Sequence, residues 1–227
     1  MLRTKCQKAT AIAILLHAVG LVGILFFDRA FFIAATPYLM LLMAALIFYT
    51  QENINPPFII FFIICFAVGF AVELLGTSTG LLFGNYSYGN SMGPAIKNVP
   101  VVIGINWFLI IYCCGITINM LLERLSRKLE EMTGNPSPAV RFLSLVTDAA
   151  MLSVFFDWIM EPAANKLGYW TWGGNGSAPL YNYACWLVVS ALLLLIFSFL
   201  KIGRRNIFAV NLLLIMMMFF MLIRTFL

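Results

Sequence analysis

The chain has 227 residues, of which 63% are hydrophobic and only 10% charged, and its mean hydropathy is +0.97. Soluble domains carry about 25% charged residues, so this composition excludes a water-soluble globular protein and points to one all-α, polytopic membrane domain over residues 1–227. The net charge of +5 then concerns topology and not nucleic acid, because Lys and Arg set the orientation of membrane helices.

The opening MLRTKCQKATAIAILLHAVGLVG has the basic start of a secretory signal. Its apolar run continues to Phe27 without a polar cleavage segment, so it reads as an uncleaved first span. A bilayer core needs about 20 apolar residues per helix. Seven runs qualify, at about 9–27, 31–49, 57–75, 99–122, 141–161, 181–200 and 206–226. With the N-terminus in the cytoplasm, the inner segments hold Arg3, Lys5, Lys8, Arg124, Arg127, Lys128, Arg141, Lys201, Arg204 and Arg205. The outer segments hold Arg29, Lys97, Lys166 and Arg224. Ten against four is a positive-inside bias, so the expected topology is a multi-pass cell-membrane protein, N-terminus in and C-terminus out. The basic linker 122–141 is expected to be peripheral.

Two outer segments stand apart. GTSTGLLFGNYSYGNSMGPAIKNVP (76–100) and PAANKLGYWTWGGNGSAPL (162–180) are long and rich in Gly and aromatic residues, and long ordered loops in compact proteins are usually functional. The fifth span carries three acids. Asp157 and Glu161 are four residues apart and share a helix face. Asp148 lies nine residues earlier, about 900° of turn, and points the other way. Glu161 precedes Pro162 and is an expected helix end. Glu73 sits near the outer end of the third span, Asn106 and Trp107 in the second turn of the fourth, Asn182 and Trp186 in the first turns of the sixth. Glu73, Asn106, Asp157, Glu161 and Asn182 could therefore line one outward-opening cavity. The bland alternatives are an interfacial Glu161, a belt of surface aromatics at Tyr86, Tyr88, Trp170 and Trp172, and an Asp148 that pairs with Asn119. Glu73 and Asp157 are harder to set aside, because a charged residue at the centre of a membrane helix costs about 2.5–3.5 kcal/mol.

Several chemistries lack their residues. One histidine, His17, cannot supply a His-rich di-iron site; it is expected to be a packed helix residue. There is no CxxC among Cys6, Cys65, Cys113, Cys114 and Cys185, which read as small buried hydrophobes. No nucleotide-binding GxGxxG or P-loop, no aspartate-rich diphosphate motif and no lysine in the seventh span for a retinal Schiff base occur. The expected site needs no metal and no cofactor.

ELLGTSTGLLFGNYSYG (73–89), PVVIGINW (100–107), DWIMEP (157–162), GYWTW (168–172) and PLYNYACW (179–186), in that order, resemble the carotenoid 1,2-hydratase family of integral-membrane carotenoid biosynthesis proteins. The resemblance implies addition of water across the terminal C-1,2 double bond of a linear carotenoid ψ-end, with a lipophilic carotenoid, water and the bilayer as partners. Protonating a trisubstituted alkene needs a carboxylic acid that keeps its proton, and acids in unlike surroundings divide acid and base roles. On this reading Asp157 or Glu73 donates the proton and Glu161 or the other acid accepts one from water. Asn106 and Asn182 orient the water. Tyr86, Trp107, Trp170, Trp172 and Trp186 wall the end group, and Tyr88 and the deeper Asp148 complete the expected substrate-binding set. Two rival expectations are a membrane carotenoid cyclase, in which a double bond captures the cation, and a small transporter relaying protons through the acids.

Overall fold

A computed structural model describes residues 2–130 and 137–227. It is a bundle of α-helices: α1 (Leu2–Phe26), α2 (Arg29–Ala34), α3 (Thr36–Thr50), α4 (Pro56–Thr79), α5 (Ile103–Glu130), α6 (Pro138–Leu167), α7 (Leu180–Phe199) and α8 (Ile207–Phe226). Four short strands, β1 (Tyr86–Tyr88), β2 (Ala95–Ile96), β3 (Val99–Pro100) and β4 (Trp170–Trp172), lie in the loops. Six helices are long and apolar enough to cross a membrane: α1 and α4 to α8. The chain is a multi-pass membrane helix bundle. Residues 131–136 of the expected linker lie outside the described residues; α5 runs to Glu130 and α6 begins at Pro138, so much of the rest is helix rather than loop.

The expected second span, 31–49, is divided. Proline lacks an N–H and its ring clashes with the carbonyl four residues back, so Pro37 cannot follow directly on from α2, and the run breaks at Ala35. The resulting α3 has 15 residues, below the usual spanning length. It still joins both ends of the bundle. At one end the Thr36 and Tyr169 hydroxyls are 2.6 Å apart; at the other, Asn206 Nδ2 donates to Thr50 Oγ1 at 3.2 Å.

Helix ends follow local chemistry. The side chains of Asn55, Ser137 and Asn206 accept from backbone N–H groups three residues on, capping α4, α6 and α8. The expectation that α6 ends at Glu161 is incorrect. The helix continues through Pro162 to Leu167 and stops at Gly168, whose φ of 70° is the left-handed cap that glycine adopts without strain. Ala163, Ala164 and Leu167 beyond the proline are buried, and their packing holds the last turn. Asp157 and Glu161 therefore sit inside a helix.

Lipid tails are as apolar as leucine, so membrane helices associate through close packing rather than through the hydrophobic effect. Small residues make that approach possible. Ala149, Ala150, Ser153, Ala163 and Ala164 face inward on α6, and Ala9 and Ala13 on α1. Helix α5 is central, with residues 107–116 all buried. The five cysteines are free thiols and buried, as small hydrophobes. His17 is buried too; its Nδ1 lies 2.8 Å from the Ala13 carbonyl, the packed state expected of it.

Candidate functional site

The two long Gly- and aromatic-rich loops close over one end of the bundle as a two-stranded sheet. Strands β1 and β4 pair antiparallel, with Tyr86 opposite Trp172, Ser87 opposite Thr171 and Tyr88 opposite Trp170. Side chains alternate faces along a strand. Tyr86, Tyr88, Trp170 and Trp172 therefore point together into the bundle, while the Ser87 and Thr171 hydroxyls meet outside at 3.2 Å. Aromatic partners pack across the strands, with Tyr86 and Trp172 ring centres 5.1 Å apart.

Beneath this cap lie three buried carboxyl groups. Glu73, on α4, accepts from the Tyr86 and Tyr88 hydroxyls on Oε2, the latter at 2.7 Å, and from Trp107 Nε1 on Oε1 at 3.0 Å. Glu161, on α6, accepts from both indoles of β4 on Oε2, Trp170 at 3.0 Å and Trp172 at 2.7 Å. Asp157, one turn earlier on α6, accepts from Asn182 Nδ2 at 2.7 Å. Its other oxygen, Oδ1, is buried without a hydrogen-bond partner among the described residues. Burial, and after it the Glu73 charge, pushes the Tyr86 and Tyr88 hydroxyls well above their ordinary range, so both stay O–H donors.

A glycine on α4 makes the Glu73 arrangement possible. A Cβ built on Gly69 would lie 2.4 Å from the Trp107 ring. Without one, the Trp107 side chain packs directly against α4 at Gly69 and its N–H reaches Glu73 one turn on. Trp107 in turn stacks on Trp186, ring centres 4.0 Å apart and 12° from parallel.

These groups enclose a cavity of about 20 Å³, room for one water molecule. Of the residues expected at the site, Glu73, Tyr86, Tyr88, Asn106, Asp157, Glu161, Trp170, Trp172, Asn182 and Trp186 all line it. Trp107 stands behind the wall and acts on the site through Glu73 and Trp186. Asp148 does not belong there: it is exposed on the outside of α6, and its hydrogen bond comes from neighbouring Thr147 at 3.4 Å. Asn119 bonds Glu123 and the Arg204 carbonyl instead of Asp148. The half-turn offset from Asp157 is the reason, and it removes the one side chain that a proton relay to the other end would have used.

Phe83, Ile103 and Met160 complete the lining and were not expected. Phe83 has a φ of 63°, a region costly for a bulky residue; its ring is buried and packs near Trp107, 6.1 Å between centres, and that packing offsets the strain. No group of three or more His, Cys, Asp or Glu among the described residues could hold a metal ion.

A stretch of 133 residues, 57% of the chain, is 26% identical to bisanhydrobacterioruberin hydratase of Haloarcula japonica. The match spans 41% of that protein's length. No solved structure matches the chain. The family described as carotenoid biosynthesis protein matches residues 34–227, from the end of α2 through the last helix and across every residue of the capped chamber, and the chain belongs to that family.

Proposed function

We propose that the protein is a carotenoid-modifying membrane enzyme that adds water across the terminal C-1,2 double bond of a linear carotenoid ψ-end, leaving a tertiary alcohol at C-1. The observation that carries this reading is the free Oδ1 of Asp157, buried beside two other carboxyl groups in a cavity with room for one water.

The hydrogen bonds support a division of roles. Glu73 faces three donors and Glu161 two, an arrangement suited to carboxylates, which accept only. Like charges this close disfavour a third anion, and Asp157 has the fewest donors, one, with its other oxygen buried and without a partner among the described residues. Asp157 therefore holds the proton and passes it to C-2, which leaves a tertiary cation at C-1. Water attacks C-1 and loses its proton to Glu161. The acids reset when that proton returns along the helix turn to Asp157, so the balance is alkene plus water giving alcohol. Asn106 and Asn182 orient the water. Trp186 and Tyr86 line the cavity, and an aromatic face stabilises a passing cation. Such acid–base help is typically worth about 10²–10⁴ in rate.

The test is mass spectrometry of pigments from cells that accumulate linear carotenoids and express the chain. Gain of one water per ψ-end is the expected result. A new pigment of unchanged mass would mean that a double bond captures the cation, which is cyclisation. No new pigment from well-expressed protein would overturn the reading.

A further inference from the structure

Three cavities in the capped half of the bundle share walls. The chamber of the acids shares Ile103, Asn106, Met160 and Trp170 with an inner cavity of about 70 Å³. That cavity shares Thr36, Leu39 and Phe219 with a groove of about 260 Å³ between α1, α2 and α3. The groove opens on the outer surface of the bundle, where its rim residues Phe31 and Tyr38 are 63% and 75% exposed. Met43 and Ile103, at the inner cavity, are 1% and 2% exposed. The sequence of shared walls runs from the exposed surface of the bundle to the carboxyl groups.

The chemistry along this path suits a hydrocarbon. Met40, Met43, Met92 and Met216 line the inner cavity, and methionine is the unbranched, polarisable side chain that adapts to an irregular apolar guest. The polar groups on the way are already engaged: Thr36 with Tyr169, and His17 with the Ala13 carbonyl. Asn106, on the wall common to the inner cavity and the acid chamber, has an amide with no hydrogen-bond partner among the described residues. The other approach to the acids is closed by the strand cap, whose Tyr86, Trp170 and Trp172 are buried.

We propose that this path is a lateral channel for the polyene: a linear isoprenoid slides from the bilayer between α1 and α3, its end group passes Asn106 to reach the acids, and the chain behind it lies against the methionines and trails into lipid. The proposal rests on the reading of the acid chamber as the reaction site and adds the route and the residues that select the substrate.

Gly20 offers a clean way to plug the mouth. It lines the groove, and a Cβ there would meet only Phe219, at 3.9 Å, an ordinary contact. Replacing a helical glycine also favours the helix. The experiment purifies wild type, Gly20→Ala, Gly20→Phe, Leu39→Trp and, as control, Ile63→Trp on the lipid-exposed face of α4 from cells accumulating a linear C40 carotenoid. Bound pigment per protein is read by absorbance, and its mass is recorded. Wild type, Gly20→Ala and Ile63→Trp should retain pigment, whereas Gly20→Phe and Leu39→Trp should lose it about tenfold. Equal pigment in the plugged variants, or none in wild type, overturns the channel. Pigment that depends on Gly20 and Leu39 but gains no water overturns the hydration reading and leaves the channel standing. Hydrated pigment indifferent to both plugs does the reverse.

Discussion

Three carboxyl groups share one chamber, and their partners make them respond differently to the same substitution. Asp157→Asn should leave a folded protein, because an amide can still accept from Asn182, but product formation should fall by about 10²–10⁴ when the proton donor is removed; pigment analysis checks this. Glu161→Gln keeps one carbonyl oxygen, and both β4 indoles converge on a single oxygen, so the amide can take its place. Glu73 uses both oxygens, so Glu73→Gln keeps an acceptor for Trp107 only by pointing its NH₂ at two tyrosine hydroxyls, which must then turn from donors to acceptors. A lower thermal midpoint in detergent, by about 1–3 kcal/mol in stability, is expected for Glu73→Gln relative to Glu161→Gln. Gly69→Ala should displace Trp107 and cost about 1–3 kcal/mol through overpacking, with loss of the near-ultraviolet dichroism of the stacked indoles. The acids were legible because a carboxyl group is costly in an apolar run and needs a reason. Gly69 was not: its role exists only once Trp107 is known to lie on it, and a residue without a side chain carries no chemical signal.

At the scale of elements, the cap is where sequence and structure differ most usefully. YSY and WTW each alternate aromatic, polar, aromatic, which is the period of a strand. Three residues are too few to separate that pattern from an interfacial belt, and the partner strand lies 84 residues away in the chain. The structure turns the alternation into a face. Ser87→Ala and Thr171→Ala, on the outer side, should change stability by less than about 0.5 kcal/mol. Trp172→Phe, on the inner side, keeps the ring but removes an N–H from buried Glu161, and should cost about 1–3 kcal/mol; thermal unfolding of the three variants decides between a face and a belt. The long spans were legible from hydropathy alone. The break at Ala35 was not, because the apolar run masks Pro37, and neither was the passage of α6 through Pro162, because burial of the following turn outweighs the local preference.

For the whole molecule, the distribution of Lys and Arg predicts which end faces the cytoplasm. Ser177 lies exposed in the loop between β4 and α7, at the capped end, and Lys128 lies exposed near the far end of α5. An impermeant thiol reagent applied to intact cells should label Ser177→Cys and spare Lys128→Cys; the reverse pattern would invert the bundle. The native cysteines are all buried, so they contribute little background. The spacing of the carboxyl groups from their donors also bears on how the chain enters the membrane. Glu73 meets Tyr86 and Tyr88 only 13 and 15 residues downstream, and Glu161 meets Trp170 and Trp172 at 9 and 11. Glu73 and Glu161 thus travel with two donors each in the loop that follows their helix, and these can shield both carboxyl groups before the later helices have been synthesised, whereas Trp107 of α5 and the Asn182 partner of Asp157 on α7 arrive afterwards.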